Sequence, residues 1–521
     1  MLFEFEFMDG SIRKCLPNVI RSKWRRYRFK IDKIDAPSRL PGILIPVDTE
    51  PKPLTTPHAS APLPGNPLIL PGTEGPNGGK PLSGISENTR HPSFAEAFRF
   101  WLKLGLISFG GPAGQIAIMH AELVEKKKWI SEARFFHALN YCMLLPGPEA
   151  QQLATYVGWL LHRTWGGIMA GALFVLPSLF LLWALSVAYV TCGDIEWVAA
   201  VFYGLKPAVL AIVLGAVLRI GGKALKNEIL WTMAGMSFVA IYFFTVPFPA
   251  IIAAAGVTGI IGGRFWPQKF LLFQGHAAKK GSETVLSDAG EIAEHTRPTW
   301  GRALRVTGTC LALWWLPVAL AGAWFGTKSV WFQQGIFFSK AAMVTFGGAY
   351  AVLPYVSQQA VENFHWLTAG QMLDGLAFAE TTPGPLIMVL QFVGFLGAWH
   401  QPGPLSPLTS ATLGALLTTW TTFLPCFLWI FLGAPHIEQL RGNKKLTAAL
   451  STVTAAVVGV VLNLGVWFGL HVLLPETGGV DIYAAAVCGI AFAGMVRWKW
   501  GIIPVILCAG GLGLVHRWAF L

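Results

Sequence analysis

The chain has 521 residues, of which 54% are hydrophobic and 13% charged, a formal net charge of +12, and a mean hydropathy of +0.53. That balance excludes a soluble domain and fits an all-α polytopic membrane protein, in which excess Lys and Arg marks cytoplasmic loops rather than a nucleic-acid footprint. The seven cysteines are scattered and odd in number, with no CxxC, which argues against a disulfide framework or a zinc site and reads as small buried side chains.

In chain order, the N-terminus "MLFEFEFMDG" carries Glu4, Glu6 and Asp9 where a secretory signal needs positive charge, so no cleaved signal is expected. Residues 1–93 read as a disordered tail, because 13 of the 34 prolines fall between Pro37 and Pro92 amid Ser, Thr and Gly. Its basic cluster, Arg21 to Lys33, is suited either to anionic lipid headgroups or to plain solvation.

From residue 94 the chain turns apolar, and the stretch "ISFGGPAGQI" (Ile107 to Ile116) interrupts it with two glycines and a proline. From Phe98 to Phe109 a helix would cover about 18 Å, little more than half of the ~30 Å hydrocarbon layer. Four short helices are therefore expected, with breaks at Phe-Gly-Gly, at the Lys126–Lys128 loop and at Pro146-Gly147-Pro148. Full-length spans follow, as in Gly166 to Val190 and Trp197 to Leu218.

The pattern then repeats. A shift of 237 positions carries Phe109 onto Phe346, Trp129 onto Trp366 and the first Pro-Gly-Pro onto Pro383-Gly384-Pro385, without a gap. It also carries Lys103 onto Lys340 and Ser108 onto Thr345. At a shift of 248, "FVLPS" (Phe174 to Ser178) meets "TFLPC" (Thr422 to Cys426). This gives a first repeat over 94–263, a polar cytoplasmic linker over 264–298, an extra span over 299–326 and a second repeat over 327–521.

Basic loops swap between the halves. Lys126, Lys127 and Lys128 precede Trp129, but Asn363, Phe364 and His365 precede Trp366; Arg219, Lys223 and Lys226 face a stretch, Trp467 to Leu474, without Lys or Arg. Because basic loops stay cytoplasmic, the two repeats are expected in inverted topology, with discontinuous or re-entrant half-helices. Arg517, placed outside by this topology, is the counter-signal.

A helix interrupted inside a membrane points its positive end into the protein and exposes backbone N–H groups, which suits an anion. Glycine permits close approach, and Pro112 and Pro148 suit the first position of the resuming helices. The alternative is that these are close-packing kinks. The candidate substrate-binding residues are Lys103, Ser108, Gly110, Gly111, Pro146, Gly147, Pro148, Gln151, Lys206, Lys340, Thr345, Gly347, Gly348, Pro383, Gly384 and Pro385. Lys103 and Lys340 either face substrate or snorkel, and Lys206 lies midway along a span, where a charge serves or is paired. Glu149 and Glu380 are proton-coupling candidates, although Glu149 is also placed to cap a helix. No cofactor or metal motif is found, and no Walker A sequence, HExxH or GxSxG; an enzyme is disfavoured, and an anion channel remains an alternative.

The segments "SFGGPAGQIAIMHAELVEKKKWI", "LPGPEAQQLATYVGW", "TFGGAYAVLP" and "AETTPGPLIMVLQFVGF" resemble the chromate ion transporter family in its long, two-repeat form, over roughly residues 94–518. The resemblance implies transport of chromate, a tetrahedral dianion similar to sulfate, with resistance by efflux in bacterial members. It also implies a multi-pass protein of the plasma membrane, an oxyanion and lipid as partners, and leaves homo-oligomerisation open.

Overall fold

The computed structural model describes residues 91–109, 111–193, 195–270, 299–436, 444–474 and 479–520. The tail expected over 1–93 falls almost wholly outside these residues, as do Gly110, Arg441 and most of the expected linker. The described fold is an all-α polytopic membrane protein. Seven of its helices are long and apolar enough to cross a bilayer.

The first repeat opens with α1 (Phe94–Ile107), α2 (Gly111–His120, continued as π-helix to Lys126) and α3 (Glu132–Leu144). Next comes α4 (Glu149–Cys192), which breaks at His162 and Arg163, where Arg163 takes φ +53°. A short buried arm, Glu149–Leu161, thus precedes a long span. The repeat closes with α5 (Glu196–Ala224), α6 (Glu228–Phe244) and α7 (Phe248–Phe265). Helix α8 (Trp300–Phe325) stands between the repeats.

The second repeat reproduces this order: α9 (Val330–Val344), α10 (Ala349–Gln358, continued as π-helix to Asn363), α11 (Ala369–Thr381), and a 3-10 turn at Leu386–Met388 leading into α12 (Val389–His400). Then follow α13 (Pro407–Gly433), α14 (Lys444–Leu473), α15 (Ile482–Arg497) and α16 (Ile502–Phe520). The correspondence extends to local detail. Ser131 and Thr368, at equivalent positions, both cap the following helix by accepting an N–H on the side chain. Lys128 and His365, also equivalent, both take φ +51°.

Contacts at the helix ends fix how the later helices run. At one end Asn227 bonds the Lys269 carbonyl at 2.6 Å, and Gly263, in the last turn of α7, lies against Ala448, near the start of α14, where an added Cβ would stand 2.5 Å from the Ala448 Cβ. At the other end Tyr203, near the start of α5, bonds Asp481 at 2.6 Å, while Asp481 receives the chain just after α14. Arg517, the counter-signal in the charge pattern, reaches Glu196 at 3.6 Å at that same end.

Several local expectations need correction. Pro112 is the second residue of α2, and Pro148 is the N-cap of α4, one position outside it; either place tolerates a residue without an N–H. Cys192 and Cys508 are exposed, while Cys142, Cys310, Cys426 and Cys488 are buried. On α1, Phe94, Phe98, Leu102 and Leu106 form an exposed stripe at a spacing of four. Such a stripe is compatible with lipid because it is apolar and the helix's own backbone bonds are intact.

Candidate functional site

The helix breaks meet at one seam, and they meet crosswise. Gly147 N–H, in the first Pro-Gly-Pro, donates to the Thr345 carbonyl of the second repeat at 2.7 Å. Gly384 N–H, in the second Pro-Gly-Pro, donates to the Ser108 carbonyl of the first at 2.8 Å. Both acceptors end a helix, and both of their hydroxyls turn back one turn, Ser108 to Leu104 and Thr345 to Ala341, each at 2.6 Å.

Glycine is required here for conformation and for room. Gly147 and Gly384 take φ +122° and +113°, where a side chain is strained. A Cβ on Gly147 would stand 2.7 Å from Cys426 Sγ, and one on Gly384 2.4 Å from Ser178 Cβ. Ser178 and Cys426 are the residues paired by the 248 shift, and each follows a proline inside its helix, so each Pro-Gly-Pro rests against the proline-bearing helix of the other repeat.

At Gly111 and Gly347 (φ +70° and +79°) an added Cβ meets nothing within 4 Å among the described residues, so open space lies beside both glycines. Gly348 would bring a Cβ 3.9 Å from Pro112 Cγ. The N-termini of α2 and α10 therefore abut, which brings two positive helix ends together at the breaks.

Buried polar side chains surround the seam. Gln115 Nε2 donates to the Gly384 carbonyl, and Gln152 Nε2 to the Pro146 carbonyl at 2.8 Å. Gln151 Nε2 donates to Thr155 Oγ1 at 3.1 Å. Ser178 Oγ is buried without a hydrogen-bond partner among the described residues and is a donor available to an oxyanion. Gln151 Oε1 and Gln152 Oε1 are likewise unpartnered, but as oxygens they repel an anion; rotation of either amide would present its NH2 instead.

Carboxylates lie close by. Glu380 is buried on α11 and accepts a hydrogen bond from Tyr350, in the first turn of α10. Arg219 on α5 is within electrostatic reach of both. Glu149 is the first residue of α4. Asp374, one and a half turns before Glu380 on α11, is buried, accepts from Tyr189 at 2.9 Å and faces Lys206 Nζ at 3.9 Å.

The seam thus gathers Ser108, Gly111, Pro146, Gly147, Pro148, Gln151, Thr345, Gly347, Gly348, Pro383, Gly384 and Pro385, whereas Gly110 lies outside the described residues. Lys103 and Lys340 are exposed, on faces of α1 and α9 turned away from buried Ser108 and Thr345. Lys103 is within electrostatic reach of Glu122 in the π-helix. Lys206 is paired with Asp374. Sequence reasoning missed Asp374, Tyr189, Tyr350, Gln115 and Ser178. Asp374 had a usable signal, an acid inside the apolar half-helix "MLDGLAF", whereas the tyrosines and Ser178 had none beyond their types.

This arrangement, two helical repeats with interrupted helices joined at a buried polar seam, is that of a multi-pass membrane transport protein. The chromate transporter family model matches residues 95–260 and 332–514, and the chain belongs to that family. It is similar to a chromate transport protein of Pseudomonas aeruginosa, 33% identical over 81% of this chain and 92% of the relative. Another chromate transport protein, of Cupriavidus metallidurans, is 30% identical over 80% of this chain and 91% of the relative. A shorter relative, the uncharacterised transporter YwrB of Bacillus subtilis, is 33% identical over 24% of this chain and 64% of its own length. No solved structure matches.

Proposed function

We propose that this chain carries out secondary active transport of chromate, and of similar tetrahedral oxyanions such as sulfate, across the plasma membrane. The observation that carries the reading is the abutment of the α2 and α10 N-termini beside open space at Gly111 and Gly347, held by the crossed Gly147–Thr345 and Gly384–Ser108 bonds. A dianion there is stabilised by two helix ends, by N–H groups freed at the breaks and by the Ser178 hydroxyl. The family membership and the names of the two bacterial relatives support chromate as the substrate.

Inverted repeats working by alternating access form part of the same proposal. Their support is the run of the later helices: α5 leads from the Tyr203–Asp481 end towards the Asn227–Lys269 end, whereas its counterpart α14 leads the opposite way. The buried closure of Ser108, Gln115, Gln151 and Thr345 favours a transporter that occludes its substrate over an open channel. In this reading Glu380, beneath the first turn of α10, is the proton-coupling group closest to the anion, and Glu149 is the alternative. Exposed Lys103 and Lys340 raise the local oxyanion concentration at the approaches.

The test is radiolabelled chromate and sulfate flux into proteoliposomes of the purified chain under an imposed pH or anion gradient. Accumulation above the equilibrium level is expected. Flux that only dissipates the anion's own gradient would instead establish a channel.

A further inference from the structure

The seam is nearly symmetric, but the buried charges beside it are not. Under the repeat shifts Asp374 corresponds to His137, Glu380 to Met143, Lys206 to Thr454 and Arg219 to Trp467. Among the described residues only the second repeat's α11, packed against the first repeat's α4 and α5, carries buried carboxylates opposite cations.

At the heart of this asymmetric side, Asp374 Oδ2 accepts from Tyr189 at 2.9 Å, while Oδ1 is buried with no partner among the described residues. The Tyr189 ring is edged by Phe202, Phe378 and Phe392 at centroid distances of 5.0, 6.0 and 5.3 Å, which fixes the hydroxyl and dries the carboxylate's surroundings. Lys206 Nζ stands 3.9 Å from Oδ2, beyond the ~2.7–2.9 Å of a closed charge-assisted hydrogen bond. A third of the Lys206 side chain is exposed. Gly370, one turn before Asp374, leaves room for the ammonium, since a Cβ there would lie 3.1 Å from Nζ. The lysine is thus held loosely, with one side towards a buried acid and the other open.

We infer that Asp374 is a resident counter-ion that competes with the transported oxyanion for Lys206, so that proton uptake by Asp374 frees the lysine for substrate. This rests on the transport reading above. A proton taken up on Asp374 Oδ1 neutralises the carboxylate while Oδ2 keeps its bond from Tyr189, and the Lys206 ammonium then turns to the oxyanion; substrate release reverses both steps. Among the described residues the ionisable groups acting on Asp374 are Lys206 from α5 and Tyr189 from α4, with none from α12, α14 or α16. Affinity thereby depends on pH through one pair, on one side of an otherwise paired machine.

The experiment is radiolabelled chromate exchange by the reconstituted full chain, with equal pH on both sides, across a range in which chromate remains a dianion. Wild type is expected to show KM rising with pH. Asp374→Asn should flatten that dependence and lower KM at the alkaline end by about tenfold, equivalent to ~1.4 kcal/mol of competition. Asp374→Glu should keep the wild-type slope. Lys206→Gln should raise KM and also be flat, and adding Asp374→Asn to it should change nothing further. Retention of the wild-type slope by Asp374→Asn, or a rise in its KM like that of Lys206→Gln, overturns the assignment. Should Asp374→Asn fail to reconstitute, a wild-type slope in Lys206→Gln overturns it instead. A wild-type chain that moves no oxyanion at any pH refutes the transport reading itself.

Discussion

Gly384 donates its N–H to the carbonyl of Ser108 at 2.8 Å, tying the second repeat's Pro-Gly-Pro to the first repeat's helix break. The same bond, 237 positions displaced, joins Gly147 to Thr345 at 2.7 Å. Each repeat therefore completes the other's interrupted helix, and neither seam half has its backbone partners alone.

Substitution of the two glycines tests this dependence. Gly147→Ala and Gly384→Ala should each lower stability by ~1–3 kcal/mol, from positive φ and from collision with Cys426 or Ser178. Thermal unfolding in detergent is the measurement. Cys426→Ala should recover part of the Gly147→Ala loss by removing the Sγ, leaving the φ strain; no recovery would mean that the collision does not matter.

Opposed repeats make a labelling prediction. Single-cysteine tags in the 126–129 loop and in the 363–366 loop, in a background lacking the native cysteines, should react with impermeant reagent from opposite faces of the membrane. Labelling from the same face refutes the inverted arrangement.

The exposed lysines are expected to act differently from the seam. Lys103→Ala and Lys340→Ala should raise KM for chromate several-fold with a smaller change in kcat, and the effect should shrink at high ionic strength as screening removes their attraction. Unchanged KM and kcat in both would leave them as lysines that merely snorkel.

Ser178 offers a neutral donor beside Gly384, and Ser178→Ala should weaken oxyanion affinity by about threefold to tenfold, the usual worth of one hydrogen bond. Equilibrium binding of chromate to purified chain reads this directly. Equal affinity in the variant excludes the hydroxyl from the site.

Glu380 and Tyr350 separate coupling from transport. Glu380→Gln should lose pH-driven accumulation while retaining chromate counterflow, because the bond from Tyr350 persists without a titrating group. Glu149→Gln, at the start of α4, is the matched comparison. A Glu380→Gln chain that still accumulates chromate against its gradient removes Glu380 from the coupling.

The sequence alone determined the all-α membrane class, the duplication and the location of the breaks. Phe-Gly-Gly and Pro-Gly-Pro are local instructions: glycine and proline interrupt a helix wherever the surroundings are apolar, so their spacing is legible without contacts. Family membership was legible for the same reason, since it resides in contiguous segments. Only the tertiary structure decided which break meets which, that Gly147 seeks Thr345 rather than Ser108, and that Lys206 lies opposite Asp374. Those pairings join residues more than 150 positions apart, and no local pattern encodes the partner. The lysines show the limit most clearly: Lys103 and Lys340 share the register of buried Ser108 and Thr345 in sequence, yet five residues along a 3.6-residue helix turns them to another face. Burial of a side chain is set by the helix that packs against it, and that neighbour is chosen by the fold.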